Sequence, residues 1–256
     1  MNDNSSFNVA ADAYDRFMGR YSTLLSPQMA ELAGIAPDQR VLDVGCGPGA
    51  LTAVLVDRVG AGNVTAVDPS EPFVEAARRR FPNVDIRRAP AEDLPFDAES
   101  FDASIAQLVV HFMDDPVAGL REMRRVTKPG GVVAACVWDH AGGRGPLSVF
   151  WDAARHLDPA AADESRLAGA RRGHLGELFA AAGISDVEQS EIVASLRHPS
   201  FEEWWEPYNG GVGPAGAYVA RLDAEGRAQL RDRCRALLPE PPFTLDSLAW
   251  SARGRA

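Results

Sequence analysis

A short apolar run, Arg40 to Val44, leads directly into Gly45-Cys46-Gly47-Pro48-Gly49 and then into a helical segment, Ala50 to Val59. Closely spaced glycines let the chain turn sharply and leave its backbone bare, so a ligand can approach where side chains would block it. The next apolar run ends at Asp68, in Ala66-Val67-Asp68-Pro69-Ser70. A carboxylate at the end of the second strand can accept both hydroxyls of a ribose. Glycine spacing alone is less selective. Gly45-x-Gly47-x-x-Ala50 also fits the loose dinucleotide fingerprint, and a purely structural turn is the bland alternative.

The rest of the chain alternates in the same rhythm. Short apolar runs at Val64 to Val67, Val84 to Arg88, Phe101 to Ala106 and Val132 to Trp138 read as strands. Glu71 to Phe81 and Pro116 to Thr127 read as the helices between them. Strands without a polar face, separated by helices, predict an α/β fold with a doubly wound, mostly parallel seven-stranded sheet. Residues 5–34 are expected to form two helices broken around Gly19-Arg20, the second starting at Ser26-Pro27. Beyond Trp138 the rhythm breaks. A glycine-rich loop at 139–146 precedes a helix near Leu147 to Leu157, and a further helix spans Gly173 to Ala182. A strand follows at Ile184 to Val193, then helical residues 200–238, interrupted at Asn209-Gly210-Gly211, and a last strand within Phe243 to Ser251. The expected organisation is one domain over 1–256: a helical lid (1–36), a ligand-binding core (37–138) and cap elements (139–172 and 200–238).

Composition narrows the partners. A net charge of −10 gives a nucleic-acid substrate no electrostatic help. Arg78-Arg79-Arg80 and Arg87-Arg88 read as solvated arginines on a helix and a strand end. Three dispersed cysteines without a CxxC pair argue against a disulfide scaffold or zinc site and fit a reducing cytoplasm. The first residues lack the basic and apolar regions of a secretory leader. No run approaches the ~18 to 20 apolar residues of a membrane span. Asp139 and His140 are adjacent but lack a third ligand, so no metal is expected.

VLDVGCGPG, AVDPS, AEDLPF, SFDASIAQLVVHF and LREMRRVTKPGG stand in this order along residues 10–140. Together they resemble the class I S-adenosylmethionine-dependent methyltransferases, in particular the small-molecule group with AxxLPF and RxLKPGG signatures. Tyr14 to Ser22 is similar to the helical lid of that family. The resemblance implies a Rossmann-like methyltransferase fold, with S-adenosyl-L-methionine as cofactor and S-adenosyl-L-homocysteine as product. It places Gly45, Gly47 and Gly49 along the methionine part, with Asp43 supporting the amino group through water. Asp68, followed by Pro69, would hold the ribose. Ala91 and Glu92 would offer backbone to the adenine edge. Gln107 and Leu108 would lie on the methionine and sulfonium side, and Tyr14 and Arg20 would close over the methionine carboxylate. Pro90 departs from the acidic or polar residue common there; it has no N–H to donate and no polar side chain.

Methyl transfer from a sulfonium is an in-line displacement, so positioning supplies much of the rate and a base is optional. His111, just past the fourth strand, is the candidate base; pocket lining and a structural role stand beside that reading. Trp138, Trp151, Trp205 and Tyr208 are candidate walls for a flat or apolar acceptor, against the alternative that they pack the cap core. Trp204 and Trp205 are adjacent, so at most one of them is expected to face a pocket. The methyl acceptor is expected to be a small molecule with an O, N or C nucleophile, and the protein a monomer or homodimer. Two other readings stand beside this one. A nicotinamide-dependent oxidoreductase predicts a pair such as Tyr-x-x-x-Lys, and none follows the fourth strand. A non-catalytic S-adenosylmethionine-binding protein would need no organised cap.

Overall fold

The protein is described from a computed structural model over residues 11–161 and 164–256. The first part of the expected lid, residues 1–10, lies outside the described residues. Seven strands form one sheet: β1 (Val41–Val44), β2 (Val64–Asp68), β3 (Asp85–Arg88), β4 (Phe101–Gln107), β5 (Thr127–Trp138), β6 (Ser185–His198) and β7 (Phe243–Arg255). Their order is β3-β2-β1-β4-β5-β7-β6. The first five are parallel neighbours, whereas β7 runs antiparallel to both β5 and β6.

The helices are α1 (Ala11–Tyr14), α2 (Arg20–Leu32), α3 (Ala50–Val59), α4 (Glu71–Arg80), α5 (Pro116–Val126), α6 (Ser148–Leu157), α7 (His174–Ala181), α8 (Phe201–Trp205), α9 (Gly213–Arg221) and α10 (Ala224–Leu237). Every residue of β1 is buried, because helices cover both faces. Alternation along the strand divides its side chains between two cores. Val41 joins Leu25, Met29, Leu55 and Val74 on one face. Leu42 and Val44 join Leu120, Met123, Leu175 and Phe179 on the other. Each such buried side chain contributes about 1.5–3 kcal/mol from removal of apolar surface. A third, aromatic cluster unites Phe17 with α6, α8, α9 and α10, at the expected cap segments.

Three expectations are corrected. The lid helix does not restart at Ser26-Pro27; the irregularity falls earlier, in a π-helical turn over Asp15–Gly19, and α2 runs through Pro27. An interior proline costs roughly 3 kcal/mol. Tyr21, Leu25 and Met29 are all buried along one stripe of α2, and their combined burial exceeds that cost. The sixth strand continues to His198 and the seventh to Arg255, because the added residues gain partners on the β6–β7 and β5–β7 ladders. The outer edge of β6 is partly blocked: Gln28 donates Nε2–H to the Val193 carbonyl at 2.9 Å and accepts from its N–H at 3.4 Å.

Candidate active site

In an open α/β sheet, ligands sit beyond the carboxyl ends of the strands, where the strand order reverses. Here that point lies between β1 and β4. The segments leaving these two strands, with those after β2 and β3, enclose a cavity of about 420 Å³. Tyr14, Gly45, Gly47, Asp68, Pro69, Ala91, Glu92, Gln107 and Leu108 all line it. Sequence reading singled out each of these nine.

The glycine turn is bound to the end of β2. Gly45 and Cys46 donate their N–H groups to the Val67 carbonyl at 2.8 and 2.9 Å. Gly45 has φ 70°, and a Cβ there would overlap the Val109 side chain. Gly47 donates to Asp68 Oδ2 at 2.9 Å, and a Cβ on it would meet nothing within 4 Å. Bare backbone therefore faces the open cavity.

Asp68 Oδ1 accepts from the Ser70 N–H at 2.8 Å. Burial pushes its carboxyl up to about 6, with the Ser70 and Gly47 N–H groups pulling the other way. An ionised carboxylate offers about four acceptor positions and two are used, so two remain for a vicinal diol. Gln107 donates Nε2–H to the Ser22 carbonyl at 3.1 Å, while its buried Oε1 has no partner among the described residues. That oxygen can accept from an ammonium group in the cavity. Tyr14 packs against Phe73, ring centroids 5.1 Å apart, and burial raises its hydroxyl to about 12, so it stays a neutral donor.

Other expected cofactor contacts lie elsewhere. Asp43 accepts from Thr52 Oγ1 at 2.6 Å, is almost fully buried and does not line the cavity. Burial pushes its carboxyl up to about 7. Gly49 does not line the cavity either; it precedes α3 at φ 101°, and a Cβ there would overlap the Phe81 ring. Its role is helix packing. Arg20 forms an ion pair with Glu203 of α8 in place of a free reach into the cavity. Sequence reading missed Phe73, Arg88, Val109, Phe112, Met113 and Asp114, which complete the wall. Four of these fall in the run after Leu108, so the signal was the continuation of a motif already noted. Phe73 and Arg88 carried none.

A second cavity, about 40 Å³, shares Tyr14, Leu108 and Phe112 with the first. His111, Trp138, His140, Phe17 and Glu164 also line it. Of the four aromatic candidates, Trp138 lines one of these two cavities and the other three line neither. Trp151 donates Nε1–H to Glu164 at 2.9 Å, while Trp205 and Tyr208 pack within the aromatic cluster. Neither Trp204 nor Trp205 lines either cavity. Burial of these rings in the cap core outweighs exposure to a ligand. Burial also lowers the His111 pKa well below the ordinary histidine range, keeping the ring neutral. Among the described residues, no group of three His, Cys, Asp or Glu side chains is arranged to hold a metal ion, and no helix is long and apolar enough to cross a membrane.

A family profile described as a methyltransferase domain matches residues 42–135. The chain is 36% identical over 141 residues to a demethylmenaquinone methyltransferase of Clavibacter sepedonicus, covering 51% of this chain and 55% of that protein. It is 31% identical over 192 residues to a demethylmenaquinone methyltransferase of Renibacterium salmoninarum, covering 68% and 79% respectively. The chain belongs to the class I S-adenosylmethionine-dependent methyltransferases. It spans about half the length of the first relatives it matches, 55% and 54%. The fold agrees with solved methyltransferases. One is the geranyl diphosphate C-methyltransferase of Streptomyces coelicolor A3(2), at a TM-score of 0.54 and 17% identity, covering 90% of this chain and 78% of that one.

S-adenosylmethionine is the cofactor of this family, and the cavity fits it by its own chemistry. It offers the Asp68 carboxylate for a diol, bare backbone at Gly47, the Gln107 side chain and apolar walls. The methyltransferase sheet supplies these from the ends of β1, β2, β3 and β4. Pro90 lines the cavity without an N–H or polar side chain, so backbone at Ala91 and Glu92 is what this wall offers to an adenine edge.

Proposed function

We propose that this enzyme binds S-adenosylmethionine in the larger cavity and transfers its methyl group to an O, N or C nucleophile of a small molecule. The observation that carries the reading is the cavity at the β1–β4 switch point, with Asp68, Gln107 and Leu108 among its lining residues. Asp68 accepts the ribose hydroxyls, Gly45 and Gly47 lie along the methionine part, and Ala91 and Glu92 meet the adenine. The cofactor supplies an electrophilic methyl on a sulfonium. The chain's part is to hold the reactants in line and exclude water, and Tyr14 covers the cavity from the lid side.

The acceptor is a small apolar or flat molecule, as the relatives' quinone-related names suggest. The segments 139–172 and 200–238 act as its cap, and the three buried free cysteines support a cytoplasmic setting. Calorimetry with S-adenosylmethionine, S-adenosylhomocysteine and NAD tests the donor. The first two should bind; tight NAD binding alone would overturn the reading. Asp68→Ala should abolish binding of the nucleoside part, and unchanged affinity would remove the ribose assignment.

A further inference from the structure

We infer that the small second cavity is the subsite for the acceptor's reacting group, that this group is a neutral hydroxyl, and that His111 takes its proton. The inference rests on the methyl-donor reading of the larger cavity.

The two cavities meet at Tyr14, Leu108 and Phe112. Leu108 at this junction has φ 61°. A γ-branched residue in the left-handed region is strained, and such strain clusters where function requires it. His111 and Trp138 both line the small cavity, and each carries a buried polar atom, Nδ1 and Nε1 respectively, with no hydrogen-bond partner among the described residues. Both side chains are 2% exposed. A buried polar atom without a partner costs free energy that a fitting ligand recovers.

The chemistry of the pair selects the ligand. Indole Nε1–H only donates, so it requires an acceptor atom; an ammonium has none. Neutral imidazole protonated on Nε2 accepts at Nδ1, so it requires a donor. A hydroxyl is both, so one placed within reach of the two atoms would satisfy them together. The cavity of about 40 Å³ has room for a few waters at roughly 10–15 Å³ each, so it admits an end group. Phe112, which lines both cavities, presents an apolar face suited to a flat body behind that group. In the step assigned to the chain, the hydroxyl O–H bond breaks and its proton forms a bond to His111 Nδ1. The electron pair of that bond stays on oxygen, which becomes the nucleophile, and His111 later releases the proton to water.

The test uses the protein saturated with S-adenosylhomocysteine, titrated calorimetrically with phenol, anisole and benzylamine. Phenol should bind at least about tenfold more tightly than anisole or benzylamine, since only it satisfies both atoms. Trp138→Phe and His111→Phe should each weaken phenol several-fold and leave S-adenosylhomocysteine affinity unchanged. With S-adenosylmethionine, the product from phenol should be the methyl ether. Equal binding of anisole, preference for benzylamine, no saturable phenol binding, insensitivity to both substitutions, or ring methylation would each overturn the inference. Failure of S-adenosylhomocysteine itself to bind would instead overturn the donor reading.

Discussion

Two carboxylates near the glycine turn are raised above the ordinary range for one main reason: desolvation. Asp68 keeps two backbone donors and stands at about 6, whereas Asp43, held mainly by Thr52, stands at about 7. A diol requires the ionised form of Asp68, so affinity for S-adenosylhomocysteine should fall about tenfold per pH unit below pH 6. Calorimetry between pH 5 and 7 measures this, and a flat profile would refute the Asp68 role. For Asp43 the consequence is stability. Its pKa is raised from 3.8 on folding, so between about 4 and 7 the folded chain holds a proton that the unfolded chain has lost. Stability therefore falls as pH rises through that window. Asp43→Asn keeps an acceptor for Thr52 but cannot ionise. Urea midpoints should show the variant gaining on the parent from pH 5 to pH 8, by on the order of a few kcal/mol. Parallel curves would show that Asp43 does not hold that proton.

At the scale of elements, the lid is joined to the cap by polar links as well as by packing. Arg20 of α2 pairs with Glu203 of α8, Glu203 Oε2 lies 2.8 Å from His198 Nδ1, and Tyr21 Oη lies 3.5 Å from His198 Nε2. Tyr21 also meets Trp138 edge-on at 6.1 Å. Glu203→Gln removes the shared anion and should speed amide hydrogen exchange across residues 14–22. It should weaken S-adenosylhomocysteine several-fold through Tyr14, at a cost of about 1–3 kcal/mol for the uncompensated groups. Unchanged exchange would mean that apolar packing alone holds the lid. This network also shows what sequence reading reaches. The strand–glycine–helix unit and Asp68 were legible because local periodicity and fixed spacing encode them. Arg20 was assigned to the cofactor because its true partner is far along the chain, in a segment without a motif. Pro27 was read as a helix start because local propensity says so, while tertiary burial of Tyr21, Leu25 and Met29 prevailed. Gly49 belonged to the right loop but served Phe81, a contact no spacing rule contains.

Across the whole molecule, the smaller cavity draws on a core that contributes little to the larger one. The larger one is built from strand ends anchored in the two apolar layers of the sheet. The wall of the smaller one includes Phe17, Leu147, Val212 and Ala215, which belong to the aromatic cluster. That cluster is itself organised around Phe150, stacked on Tyr208 at 4.7 Å, with Trp151 at 5.0 Å and Tyr218 at 6.0 Å. Phe150 lines neither cavity. Phe150→Ala should therefore cost about 3–5 kcal/mol of stability, as expected for truncating a fully buried aromatic side chain. Its functional effect should be selective, because relaxation spreads through contacts and this cluster meets the sheet core at its edge, around Met18. Acceptor KM should rise strongly while S-adenosylhomocysteine affinity changes by less than about threefold, under conditions where the variant remains folded. Denaturation curves and calorimetry on one preparation measure both quantities. Parallel loss of acceptor and donor binding would show that the cap and sheet respond as one unit, and the division of labour between the two cavities would fail with it.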